Sequence, residues 1–93
     1  MNYRDYKRIK LGQYQSVGMF SEYYAYEVLT GFADVPEYYQ ITKDEFESFE
    51  LWQNSESFVV GKIKNRKCIC SAYKDHADIK MEDFLSEEEL LKA

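Results

Sequence analysis

The chain has 93 residues, of which 45% are hydrophobic and 31% charged, and it carries a formal net charge of −5. This length predicts a single domain over residues 1–93, because so short a chain buries one hydrophobic core and no more. The composition argues against wholesale disorder. The N-terminus lacks the apolar run of a signal peptide, and no stretch reaches the roughly 18 apolar residues of a membrane span, so a cytoplasmic location is expected.

The first forty residues are predicted to be mainly extended. Residues 8–11 and 14–19 are expected to form a hairpin around Gly12, where the chain can turn. Aromatic and β-branched residues alternate over 22–32, which predicts a strand, although a helix ending at Gly31 is the alternative. A turn and a short extended piece are expected next, at 33–36 and 38–41.

Two capping boxes predict the helices. A helix is predicted over Lys43–Trp52, where Thr42 can accept from the backbone amide of Glu45 while the Glu45 side chain bonds back to Thr42. Aromatic residues at a spacing of three give this helix one apolar stripe. The same pattern at Ser86 and Glu89 predicts a short C-terminal helix.

The remaining segments are predicted to be strands. Residues 57–63 and 67–73 are rich in β-forming side chains and flank a turn at Asn65, which predicts a hairpin. Ile79 and Met81 alternate with charged neighbours and are expected to form one more strand. The order of elements predicts an α+β fold, an antiparallel sheet of about four to five strands with one main helix and a short C-terminal helix packed on one face.

No set of residues in the sequence indicates an enzyme, a cofactor site or a metal site. His76 is the single histidine, and Cys68 and Cys70 lack the local signatures of cysteine proteases. A Cys-x-Cys pair with one histidine is a poor match to a zinc site, and two thiols two apart on a strand are badly placed to form a disulfide. A chain of this size has little room for the deep cleft that raises a carboxyl pKa for catalysis.

Tyrosines and acids are concentrated in the same part of the chain. Eight of the nine tyrosines precede residue 40, and residues 19–57 contain nine acids against one lysine. Tyrosine suits half-buried protein-binding surfaces, and negative charge attracts basic proteins, although the rings could instead be core residues. Alternation along a strand places one ring of each tyrosine doublet outside. The predicted partner interface comprises Tyr23, Tyr24, Asp34, Glu37, Tyr38, Tyr39, Asp44, Glu47 and Glu50.

In size, acidity and tyrosine doublets beside acids, the chain resembles the small acidic immunity proteins that bacteria pair with nuclease toxins. The resemblance implies a cytoplasmic inhibitor that occludes the basic active site of a toxin. Two alternatives remain open, a phage- or plasmid-encoded protein that mimics nucleic acid and a structural module that forms homo-oligomers. Direct nucleic-acid binding by the interleaved rings and cations of residues 3–10 is disfavoured, because the isoelectric point is near 4.8.

Overall fold

The computed structural model describes residues 3–30, 35–71 and 79–92, which form an antiparallel sheet with several short helices. The α+β fold and the antiparallel sheet are therefore as predicted. Each strand pairs with the next strand along the chain, so the sheet is a meander in the order β1-β2-β3-β4-β5. The five strands are β1 Lys7–Gly12, β2 Gln15–Phe20, β3 Tyr23–Thr30, β4 Val35–Gln40 and β5 Cys68–Ser71.

The helices are short and lie mostly between β4 and β5. The α-helices are α1 Lys43–Glu47, α2 Phe49–Trp52, α3 Glu56–Val59 and α4 Glu87–Lys92, and single 3₁₀ turns occur at Tyr3–Asp5, Ile63–Asn65 and Met81–Asp83. None of these helices has the length and apolar character needed to cross a membrane.

Both predicted helix starts are confirmed. Thr42 accepts from the amide of Glu45 at 3.2 Å, and the Glu45 carboxylate accepts from the amide of Thr42 at 2.8 Å. The box before α4 has the same two bonds, at 3.2 and 3.3 Å. The first predicted helix is interrupted at Ser48, whose hydroxyl donates to the Asp44 carbonyl at 2.8 Å. Serine bonding of this kind to the preceding turn bends helices, which accounts for the break between α1 and α2.

The opening hairpin is also confirmed, and the strand prediction for 22–32 prevails over the helical alternative. Residues 23–30 form β3, while residues 31 and 32 lie outside the described part of the chain. The turn between β1 and β2 places Tyr14, rather than a glycine, at a positive φ of 57°. β4 starts earlier than predicted, at Val35, while residues 33 and 34 lie outside the described part of the chain. A register shift between Arg8 and Lys10 marks a β-bulge in β1.

Two predicted strands are wrong. Of the predicted strand 57–63, residues 57–59 are in α3, which Ser55 caps by accepting from the amide of Phe58 at 3.3 Å. Residues 60–62 form a turn that leads into the 3₁₀ turn Ile63–Asn65. The phenyl ring of Phe58 packs on Trp52 with centroids 5.0 Å apart, and this contact outweighs local β-propensity. Met81 lies in a 3₁₀ turn rather than a strand. Of the predicted strand 67–73, residues 68–71 form β5, and residues 72 and 73 lie outside the described part.

Apolar clusters cover both faces of the sheet. The first cluster joins the strands to α1, α2 and the turn after α3, and its buried members are Val17, Tyr26, Tyr39, Ile41, Phe49, Trp52 and Ile63. The second cluster lies on the opposite face and contains Phe20, Ala25, Tyr38, Cys70, Ile79 and Phe84. The predicted packing on one face is therefore incomplete, because the segment before α4 covers the second face.

Close contact between β1 and β2 depends on Gly18. A Cβ atom at this position would collide with the carbonyl oxygen of Lys7. Glycine is the residue that permits such an approach of two backbones, so Gly18 sets how closely β1 can pair beside the bulge.

Candidate functional site

The second tyrosine doublet is buried, which corrects the predicted interface. Tyr38 and Tyr39 point to opposite faces of β4, as alternation predicts, but their exposures are only 3% and 6% because both faces are covered. The Tyr38 hydroxyl donates to Glu27 at 2.7 Å, and the Tyr39 hydroxyl donates to Glu37 at 3.2 Å. These two rings therefore belong to the interior, and Glu37 is engaged by one of them.

The first tyrosine doublet is half-buried, as a contact surface requires. One side of the Tyr23 ring stacks on Phe84 with centroids 4.3 Å apart and planes 1° from parallel. The Tyr24 ring lies against Phe46 at 4.7 Å with its plane tilted by 36°. Each ring is thus held by an aromatic partner while part of its surface remains accessible to solvent.

Tyr23 and Tyr24 line a groove at the end of the sheet where β3 begins and β4 ends. The groove has a volume of about 240 Å³. We call it the tyrosine–acid groove, because two exposed acidic residues line it together with the two tyrosines. It is lined by Glu22, Tyr23, Tyr24, Gln40, Ile41, Leu85, Ser86 and Glu87.

Gln40 holds the C-terminal segment in place at the groove. Its side-chain amide donates to the Leu85 carbonyl at 2.7 Å, and its side-chain oxygen accepts from the Leu85 amide at 2.9 Å. This pair of bonds positions the start of α4, so that the Glu87 carboxylate accepts from the Lys43 amide at 2.6 Å. The two carboxylates of the groove therefore come from distant parts of the chain, Glu22 from the β2–β3 turn and Glu87 from α4.

The surroundings of the tyrosine–acid groove are negative. The first turn of α1 presents Asp44, and the first turn of α4 presents three consecutive glutamates that begin at Glu87. The nearby cations, Lys43 and Lys92, are exposed and each is paired with another acid. The Lys43 ammonium lies 4.0 Å from Glu47, and the Lys92 ammonium lies 3.5 Å from Glu88. A concave negative surface with accessible tyrosine rings suits a lysine or arginine side chain, which carboxylates attract and aromatic rings can contact.

Glu47 and Glu50 are near each other on the outer side of α1 and α2, but cations of the same chain reach both. The Lys10 ammonium lies 3.0 Å from the Glu50 carboxylate and donates to the carbonyls of Phe46 and Glu47 at 3.1 and 3.0 Å. A backbone hydrogen bond and Lys10 together lower the pKa of Glu50. The structure thus places Tyr23 and Tyr24 in the groove, and Asp44 follows Lys43, whose amide is bonded to Glu87 of the groove. Glu47 and Glu50 lie farther along the helices, and Asp34 lies outside the described residues.

The sequence prediction missed the two acids that line the groove. Glu22 directly precedes the tyrosine doublet, so its position offered a signal. Glu87 follows the capping residue Ser86 and gave no such signal, because its approach to Tyr23 depends on the bonds between Gln40 and Leu85.

The two cysteines are free thiols in the structure. The Cys68 thiol donates to the Cys70 carbonyl at 3.3 Å. Burial raises the pKa of Cys70 to about 12, which makes its thiol a poor nucleophile at neutral pH. Within residues 3–30, 35–71 and 79–92, no group of three histidine, cysteine or acidic residues is arranged to hold a metal ion, and His76 lies outside these ranges.

Comparisons of the chain with protein-family models, with curated proteins and with solved structures gave no match.

Proposed function

We propose that this protein binds and inhibits a basic protein, and that the tyrosine–acid groove is its principal contact. The specific proposal is an immunity protein that acts in the cytoplasm and neutralises a nuclease-type toxin by covering its active site. The observation that carries the proposal is the placement of Glu22 and Glu87 beside two half-buried tyrosines in one groove.

The chemistry of the groove matches what such a partner presents. A nuclease active site is rich in lysine and arginine, because it must neutralise phosphates. A guanidinium group that enters the groove would meet carboxylates and the faces of Tyr23 and Tyr24. Aromatic anchors ringed by charge are typical of protein-binding hot spots, and the acids around them speed association with a cationic target.

The first experiment uses the polypeptide encoded by the gene next to that of this protein. We expect this polypeptide to be toxic when produced alone and harmless when produced with the wild-type protein. The double variant Glu22→Gln, Glu87→Gln should bind it roughly tenfold more weakly by calorimetry, which corresponds to about 1.4 kcal/mol. Glutamine retains the acceptor for the Lys43 amide, so α4 should stay in place.

The matched control is the double variant Glu47→Gln, Glu50→Gln, which removes the same charge from the outer side of the helices. We expect its affinity to stay within about threefold of the wild type, because Lys43 and Lys10 already accompany these acids. Equal losses of affinity in the two double variants would show that the groove is not the principal contact. A neighbouring gene product that is harmless and is not bound by the wild-type protein would contradict the toxin proposal.

A further inference from the structure

A buried glutamate lies in the middle of β3, on the sheet face that carries the second apolar cluster. Glu27 is 3% exposed. Its Oε1 accepts from the Nε and Nη2 of Arg8 at 2.9 and 2.7 Å and from the Ser16 hydroxyl at 2.9 Å. Its Oε2 accepts from the Tyr38 hydroxyl at 2.7 Å. Four hydrogen bonds from three side chains thus satisfy both oxygens of this buried carboxyl group.

A second tyrosine extends this network. The hydroxyls of Tyr6 and Ser16 are 2.8 Å apart. Because the single hydroxyl proton of Ser16 is directed to Glu27, Tyr6 must be the donor to Ser16. Burial raises the pKa of Tyr6 and of Tyr38 well above the usual value for tyrosine, so both hydroxyls remain protonated at neutral pH.

The network forms the inner wall of a cavity of about 290 Å³. Two arginines and one glutamate line the cavity, so its charged lining residues are net positive in a chain whose net charge is −5. Three tyrosine rings complete the wall. The lining residues are Tyr3, Arg4, Tyr6, Arg8, Glu27 and Tyr38.

Glu27 fixes the orientation of Arg8. The edge of the guanidinium that carries Nε and Nη2 is bound to the carboxylate. Because the group is planar, its opposite edge, with Nη1 and the second Nη2 hydrogen, is directed away from Glu27. The Arg8 side chain is half-exposed, so this edge is accessible. An arginine held in one orientation is prepared for bidentate contact with an oxyanion.

We propose that this cavity binds a phosphate group, either as the free anion or as part of a small phosphate monoester, with Arg4 and Arg8 as the contacting residues. The Arg4 guanidinium stands 5.7 Å from the centroid of the Tyr3 ring, at the same cavity. Tyrosine rings beside two arginines can contact the organic part of a monoester. Glu27 is the positioning residue, since it acts through Arg8. This site is separate in its residues and its charge from the tyrosine–acid groove.

The experiment measures binding of inorganic phosphate and of adenosine 5′-monophosphate to the full chain by calorimetry and by ¹H–¹⁵N NMR. We expect the Nε–H resonance of Arg8 to shift on addition of either probe. Affinity should increase from about pH 5 to pH 7, because the second ionisation of a phosphate monoester lies near pH 6. Tighter binding of the nucleotide than of phosphate would show that the tyrosine rings contact the organic part of the ligand. Equal binding of the two would show that the site recognises the phosphate group alone.

Variants separate the site from general charge attraction. Arg4→Gln, at an exposed position that leaves the Glu27 network intact, should weaken binding about tenfold or more. Lys7→Gln removes the same charge from the neighbouring strand residue on the other sheet face and should leave the affinity within about twofold. Glu27→Gln should weaken binding and broaden the Arg8 Nε–H resonance while the rest of the spectrum stays dispersed. Absence of binding at millimolar concentrations, or equal losses in Arg4→Gln and Lys7→Gln, would overturn the proposal.

Discussion

Arg66 and Glu45 form a bidentate ion pair between α1 and the segment before β5. The two bonds measure 2.7 and 2.8 Å, and the side chains are only 6% and 7% exposed. Burial alone would raise the pKa of Glu45, but hydrogen bonds from Arg66 and from the Thr42 amide outweigh it and hold the pKa below its ordinary value. The sequence predicted Glu45 as half of a capping box and gave no indication that Arg66 lies beside it, because 21 residues separate them.

Arg66→Leu should destabilise the protein in a pH-dependent way. At neutral pH the variant leaves a buried carboxylate without its main partner, at a cost of about 3 kcal/mol or more. A carboxyl whose folded pKa is depressed contributes stability above its unfolded pKa and loses that contribution as the pH falls through the folded pKa. The difference between wild type and variant should therefore shrink from about pH 7 towards pH 3, as measured by urea unfolding midpoints.

The control for this variant is Lys62→Leu. Lys62 lies 3.5 Å from the same carboxylate, but its side chain is 49% exposed, so its removal should cost under about 1 kcal/mol. A cost for Arg66→Leu that does not change with pH would show that Glu45 is not the group responsible.

At the scale of secondary structure, local signals with a specific hydrogen-bond pattern were reliable. The capping boxes at Thr42 and Ser86 located the starts of α1 and α4, and alternation located β3. Residues 57–63 were misassigned because their β-forming side chains suggested a strand, whereas the Ser55 cap and the contact of Phe58 with Trp52 favour a helix. The β-propensity of a segment is a weak predictor where tertiary contacts determine its secondary structure.

The two capping boxes should differ in energy. Thr42→Ala should cost about 1–2 kcal/mol, because the residue is 4% exposed and the amide of Glu45 would lose its partner in a buried place. Ser86→Ala should cost about 0.5 kcal/mol or less, because Ser86 is exposed and water can replace its hydroxyl. Urea unfolding of both variants at neutral pH measures the difference, and equal costs would show that burial of the cap is unimportant.

At the scale of the whole molecule, the fold class and part of the candidate site were predictable. The alternation of side chains along a strand correctly predicted that Tyr38 and Tyr39 lie on opposite faces of the sheet. It could not predict that the segment containing Phe84 covers the second face. Exposure of a ring depends on such long-range contacts. The same limit applies to the groove, since Glu87 reaches Tyr23 only through the bonds between Gln40 and Leu85.

The buried tyrosines should govern stability in alkali. Burial raises the pKa of Tyr26 to about 12, and burial likewise raises the pKa values of Tyr6, Tyr38 and Tyr39. Groups with a raised folded pKa contribute stability below the unfolded pKa of 10, and this contribution is lost as the pH rises through the folded values. The free energy of unfolding should therefore fall above about pH 10, by roughly 5 kcal/mol per pH unit when all four tyrosines contribute.

Absorbance at about 295 nm should show this as a titration in two phases, the later of which coincides with loss of the near-ultraviolet circular dichroism signal. Tyr26→Phe should remove one equivalent from the later phase. A single phase near the ordinary pKa of tyrosine, with the dichroism signal intact, would contradict the burial of these rings.

The bulge in β1 has a consequence for the exposed edge of the sheet. Within the described residues β1 pairs on one side only, so its outer margin carries backbone groups that another strand could extend into a fibre. The irregular register between Arg8 and Lys10, together with the positive charges of the strand, disfavours such stacking, because an incoming copy would meet a kinked backbone and like charge. Pairing of two copies edge to edge through β1 is therefore unfavourable.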